Sequence, residues 1–104
     1  MRKINYSPDS VEKLQKIKVD ITEKFGEETA LDTIVEMMDT IDLLTENPEL
    51  GDSVSDMYNI PTEYRRLYVC HNSIIYYYDI ETIYIVYIFH EKEDLIKDLT
   101  RGRK

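Results

Sequence analysis

The sequence is poor in glycine and cysteine, and its basic side chains are outnumbered by acidic ones. Three glycines in 104 residues exclude a glycine-rich loop that cradles a phosphate. A single cysteine, Cys70, excludes an internal disulfide. It sits in an apolar, strand-like run and reads as a small buried side chain in a reducing compartment. No stretch approaches the roughly 18 consecutive apolar residues of a membrane span, so no membrane partner is expected. Met1-Arg2-Lys3-Ile4-Asn5 lacks the apolar stretch of a signal peptide, and the cytoplasm is the expected location. Thirteen Lys and Arg stand against 21 Asp and Glu, a formal charge of −8. Non-specific nucleic-acid binding depends on cations that neutralise phosphates, so this chain is a poor general nucleic-acid binder, although a local basic patch is compatible with it. No metal-ligand cluster and no Ser/His/Asp signature is present, and nothing in the sequence requires a cofactor.

What is present is enough for one core. Hydrophobic residues make up 42%, and a chain of this length buries roughly two-thirds of its unfolded surface. One domain over residues 1–104 is expected. Lys3 to Tyr6 reads as a strand. Ser7-Pro8 then starts a helix, with Ser7 as the cap and Pro8 at the first helical position. Val11, Leu14, Ile17, Ile21 and Phe25 make an apolar stripe at helical spacing, and Gly26 is expected to end the helix in a left-handed conformation. Glu27 and Glu28 suit the first turn of a second helix, on which Ala30, Ile34, Met37 or Met38, Ile41 and Leu44 or Leu43 keep the period. Asn47-Pro48 stops it. So short a link predicts an antiparallel helix pair. Residues 49–63 are turn-rich and read as a surface connector.

The last third changes character. Tyr64 to Cys70, Ile74 to Tyr78 and Ile83 to Phe89 are rich in Tyr, Ile and Val, which suit pleated surfaces. His71-Asn72-Ser73 and Asp79-Ile80-Glu81-Thr82 separate them as turns. The fold class is therefore α+β, in the order β-α-α-β-β-β, with a short terminal helix over Glu91 to Leu99 and a basic tail from Arg101 to Lys104. An antiparallel sheet with one wet face alternates apolar and polar residues. Here Leu67 and Val69 share one face, while Tyr64, Arg66, Tyr68 and Cys70 share the other. Strict alternation puts Ile83, Ile85, Tyr87 and Phe89 opposite Tyr84, Val86, Ile88 and His90. Both faces are largely apolar or aromatic, and two helices cover only one. Either the connector and terminal helix cover the second face or a partner does.

Several segments, in order, resemble the RelE/ParE toxin superfamily. Tyr6-Ser7-Pro8-Asp9-Ser10 is similar to that family's step from strand to helix. Leu44-Thr45-Glu46-Asn47-Pro48-Glu49-Leu50-Gly51 is similar to the end of its helix pair. Tyr64-Arg65-Arg66-Leu67, Ile74-Ile75-Tyr76 and Ile85-Val86-Tyr87-Ile88-Phe89-His90 resemble its strands. The resemblance covers nearly the whole chain. It implies a toxin of a type II toxin–antitoxin pair with an antitoxin protein as partner, forming a homodimer or a heterotetramer with that antitoxin. RelE-like members cut mRNA on the ribosome, whereas ParE-like members inhibit DNA gyrase.

The two branches ask different things of the site. Cleavage of RNA through its 2′-hydroxyl needs a base, an acid and cations around the phosphate. The resemblance offers Arg66, His90 and Lys92 as that catalytic set. Ser73 and Glu91 stand where ribonuclease members often carry basic or tyrosine residues, so the cationic set is thin and the ParE-like branch is favoured. His90 has a plainer reading as a strand-end histidine bonded to a carboxylate. Arg66 reads either as a phosphate contact or as an ion-pair partner for an antitoxin carboxylate, and Arg65 as a solvated strand side chain. Tyr76 and Tyr78 offer rings that could stack a base, although strand packing also accounts for them. Tyr64, Arg66, Tyr68, Tyr84 and His90 form the expected partner- or target-binding set. A non-toxic binding module on the same scaffold is the third reading.

Overall fold

A computed structural model describes residues 1–91. Lys92, the rest of the expected terminal helix and the basic tail lie outside the described residues. The chain runs β1 (Lys3–Tyr6), α1 (Pro8–Phe25), α2 (Glu27–Asp42), a 3₁₀ turn (Leu43–Thr45), β2 (Asp52–Ser53), α3 (Val54–Tyr58), β3 (Arg65–Val69), β4 (Asn72–Tyr78) and β5 (Thr82–His90). The five strands form one sheet in the order β1-β5-β4-β3-β2. β1 runs parallel to β5, and the other neighbours are antiparallel. The expected α+β order is borne out. Among the described residues no helix is long and apolar enough to cross a membrane.

The helix hairpin begins as the sequence predicts. Ser7 Oγ accepts from the Ser10 N–H at 3.0 Å, and Pro8 takes the first turn. Gly26 alone joins the two helices. Its N–H closes α1 on Thr22 O, and its carbonyl accepts from the Ala30 N–H to open α2. Gly26 has φ +98° with ψ 163°. The positive φ is as expected, but ψ is extended rather than left-handed helical, because the chain must reverse within one residue. A Cβ at Gly26 would meet nothing within 4 Å, so glycine is needed there for its backbone freedom rather than for space.

One face of the sheet carries the hairpin. Met37, Ile41 and Leu44 pack with Leu67, Val69, Ile74, Tyr76, Ile83, Ile85 and Ile88, joined at the edge by Ile4, Tyr6, Leu14 and Ile17. The two ends of the expected α1 stripe, Val11 and Phe25, are exposed instead. The first turn of α1 presents Ser10 to the sheet. Ser10 is fully buried, with its Oγ 3.5 Å from Ile85 O. An approach that close leaves room only for a small side chain.

Three further differences separate structure from expectation. The connector is more ordered than its composition suggests: β2 pairs with Arg65 and Arg66, Ser53 Oγ caps α3, and Asn59 ends it in a left-handed conformation at φ 55°. Arg65 is part-buried and engaged rather than free in solvent. Its guanidinium donates to Gly51 O at 2.9 Å and Glu49 O at 3.2 Å and pins the connector to the sheet. Finally, the turn between β3 and β4 is shorter than the expected His71-Asn72-Ser73. Cys70 and His71 have φ 51° and 63°, the backbone a two-residue hairpin turn needs to follow the strand twist. Asn72 and Ser73 are therefore strand residues. Cys70 leaves the strand and packs half-buried at the turn, donating its thiol to Glu36 Oε2 at 2.7 Å.

Candidate functional site: the open face of the sheet

The face of the sheet away from the hairpin collects aromatic side chains from three strands. The register between β4 and β5 slips between the pairs Ile75–Tyr87 and Tyr76–Ile85. This β-bulge leaves Val86 without a partner and changes the phase of the rest of β5. Ile83, Ile85 and Ile88 consequently all point into the hairpin core, and Phe89 packs on the opposite side with Ile75, Val54 and Tyr64. The strict alternation expected for β5 is thus overturned beyond Ile85. Tyr87, assigned by alternation to the face of Ile83 and Ile85, joins Phe89 with ring centroids 5.6 Å apart.

A row of tyrosines crosses the open face. Tyr77 lies 6.0 Å from Tyr64 and stacks on Tyr84 at 4.7 Å with a 16° interplanar angle. Tyr84 is held in place by its hydroxyl, which donates to Asp79 Oδ2 at 3.1 Å. Asp79 in turn accepts from the N–H groups of Glu81 and Thr82, both at 2.8 Å, and these bonds hold its carboxyl below the usual carboxylate range. Burial pushes the Tyr64 phenol up, with Tyr87 and Tyr77 adding to the effect. Of the covering elements, α3 contributes Val54 to the small cluster around Ile75. Tyr68 remains 48% exposed and Tyr87 37%, an aromatic surface of the kind found at protein interfaces.

Polar groups gather at the other end of this face. Arg66 Nε donates to Ser73 Oγ at 2.7 Å, and its guanidinium lies 5.3 Å from the centre of the Tyr68 ring. The Tyr68 hydroxyl donates to Glu91 Oε1 at 2.8 Å, and Glu91 Oε2 sits 2.9 Å from His71 Nδ1. The bond from Tyr68, with that from His71, lowers the Glu91 carboxyl below its ordinary value, while the same carboxylate raises the Tyr68 phenol. Ser73 and Glu91 occupy the positions that the ribonuclease reading expects to be basic or tyrosine. In the structure both are acceptors engaged by the chain's own donors.

Tyr64, Arg66, Tyr68 and Tyr84 are therefore brought together, but His90 is not. His90 pairs with Asn72 across the ladder and, with Lys13, Lys16 and Phe25, lines a groove of about 770 Å³ against α1 and α2. Arg66 and His90 lie on opposite faces of the sheet, and Lys92 lies outside the described residues. Tyr76 is fully buried and Tyr78 packs against the hairpin core, where the Arg2 guanidinium covers its ring at 5.4 Å, so neither presents a free ring for a base. Tyr77, Tyr87 and Phe89 belong to the open face but were not singled out from the sequence. Alternation from Ile75 would have found Tyr77. Nothing in the sequence marks the bulge that turns Tyr87 and Phe89 to this side.

The comparisons with known proteins agree with this architecture. A chain from the "Chromosomal ParDE TA system from P. aeruginosa" superposes with a TM-score of 0.72 at 17% identity, over 86% of this chain and 96% of that one. At that identity the likeness concerns the fold. No curated protein matches the sequence. The family model described as "ParE toxin of type II toxin-antitoxin system, parDE" matches residues 4–95. With nearly the whole chain so matched, the protein belongs to the ParE toxin family of type II toxin–antitoxin systems.

Proposed function

We propose that this chain acts by binding a target protein, DNA gyrase being the expected target from the ParE-like branch, and that an antitoxin silences it by seating an amphipathic segment on the open face of the sheet. The observation that carries the second half is the aromatic row Tyr64–Tyr77–Tyr84 with the exposed rings of Tyr68 and Tyr87 beside it. Rigid aromatic side chains supply contact area at low entropic cost and dominate interface energetics. Arg66, steadied by Ser73 and the Tyr68 ring, gives a carboxylate on the partner a fixed planar counterpart. A homodimer and a heterotetramer with the antitoxin are the assemblies in view. No observation favours the endoribonuclease alternative, whose two described candidates, Arg66 and His90, lie on opposite faces.

The test is co-expression with the product of the adjacent short reading frame, followed by affinity purification and a growth assay. The expected outcome is a stable complex that relieves growth inhibition, with inhibition of gyrase supercoiling by the free chain. Tyr68→Ala combined with Tyr87→Ala should weaken the complex by at least about tenfold, the range for loss of interface anchors. Absence of a small partner, or a complex indifferent to both substitutions, would refute the antitoxin site. A chain that binds its partner but leaves growth and gyrase unaffected would instead identify a non-toxic binding module.

A further inference from the structure

The outer surface of α2 carries a second apolar stripe, separate from the one that packs on the sheet. Ala30, Met37 and Ile41 are the buried residues of this helix. Leu31, Val35 and Met38 recur at spacings of four and three on a different side and stay 46%, 55% and 40% exposed. Leu43, in the 3₁₀ turn just past the helix end, is exposed as well. With Asp32, Glu36 and Asp39, the side chains of Leu31, Val35 and Leu43 line a shallow groove of about 500 Å³. Single apolar residues on a surface are ordinary. Residues spaced by four and three along one side are the pattern of a helix–helix seam.

The charges that α2 itself brings to the seam have one sign, while Lys13, Lys16 and Lys24 of α1 line a neighbouring groove with Glu36. Glu27, Glu28, Asp32, Glu36, Asp39 and Asp42 all lie on α2, which contains no Lys, Arg or His. Acidic groups three or four residues apart repel along a helix. Glu28 and Asp32, Asp32 and Glu36, Glu36 and Asp39, and Asp39 and Asp42 are such neighbours. A seam flanked by carboxylates fits a helix with apolar seam residues and Lys or Arg on its flanks. A second copy offering the same helix would set carboxylate against carboxylate. We propose that the outer face of α2 is a docking surface for a basic amphipathic helix of a partner protein. The hairpin lies on the other side of the sheet from the aromatic row, so this surface is distinct from the open face, and failure at either leaves the other standing.

The probe is a synthetic amphipathic helix with leucine at its seam positions and lysine on its flanks, with a glutamate-flanked counterpart as control. Binding to the full chain is measured by fluorescence anisotropy at about 150 mM salt, where exposed charges beyond a Debye length are screened. The lysine-flanked helix should bind and the glutamate-flanked one should not. Val35→Glu is the deciding variant. It adds negative charge, so purely coulombic attraction would strengthen, whereas seam docking weakens by at least about tenfold. Asp32→Lys with Asp39→Lys should shift preference toward the glutamate-flanked helix. Circular dichroism confirms that the variants fold; their side chains are exposed. Binding that is absent in the parent chain, or that Val35→Glu leaves unchanged or strengthens, overturns the proposal. So does sedimentation showing a self-associated chain that Val35→Glu dissociates, because the seam would then be filled by a second copy.

Discussion

The phenol of Tyr76 ties the connector to the sheet. Its ring is fully buried, its hydroxyl donates to Pro48 O at 2.7 Å, and it accepts from the Gly51 N–H at 2.9 Å. The connector comes so close that a Cβ at Gly51 would stand 2.7 Å from Arg66 O and 2.8 Å from the Tyr76 ring. Tyr76→Phe keeps the shape but strands a buried N–H and a part-buried carbonyl, so urea denaturation should show a loss of about 1–3 kcal/mol. A change near zero would mean that the connector does not need this anchor. Cys70 has a different dependence on its surroundings. Burial, with the hydrogen bond and charge of Glu36, pushes its thiol up to about 12. The thiolate is the nucleophile, so alkylation of the folded chain at pH 8 should be far slower than that of the urea-unfolded chain, and Glu36→Gln should speed it. Because the folded pKa is raised, the Cys70 contribution to stability is complete below the ordinary value of 9.0 and is lost as pH rises from there through about 12. Cys70→Ser should accordingly flatten the alkaline limb of a melting profile.

Among the elements, the junction of β1, α1 and β5 decides the geometry of both faces. Ser7 caps α1 and also donates its hydroxyl to Val86 O at 2.7 Å, while its N–H donates to Ile85 O at 2.9 Å. The helix start and the bulge are thus fastened by one residue. Ser7→Ala removes the cap and leaves the bulged carbonyl without this donor. The expected cost is about 1–2 kcal/mol, the upper part of the range for caps, measured by thermal unfolding. A loss of a few tenths would mean that solvent replaces both bonds. The helix pair, the first strand and the three long strands were legible from periodicity and from Ser7-Pro8, Gly26 and Asn47-Pro48, because those signals act over a few neighbouring residues. α3 and β2 were not. They are five and two residues long, too short for a period to register, and β2 exists through its pairing with Arg65 and Arg66.

Over the whole molecule, acidic side chains outnumber basic ones and leave a formal charge of −8. Like charges oppose the compact state, and salt screens them. Raising the ionic strength from about 10 to 150 mM shortens the Debye length from roughly 30 to 8 Å, so the melting temperature should rise. A fall on adding salt would show that attractive pairs outweigh the repulsion. The amino-acid sequence by itself determined the class of fold, the order of its main elements, the family resemblance and the excess of aromatic residues over what one buried sheet face needs. All of these rest on residue type and short-range spacing. The tertiary structure alone decided which aromatics share the open face, that His90 turns toward the helices while Arg66 does not, and that Cys70 sits at a turn beside Glu36. Each of these depends on strand register: the β3–β4 pairing with its two-residue turn places Arg66 and Cys70, and one unpaired residue, Val86, places Tyr87, Phe89 and His90. A slip of one residue exchanges the faces of everything beyond it, and nothing local in the sequence records where that slip falls.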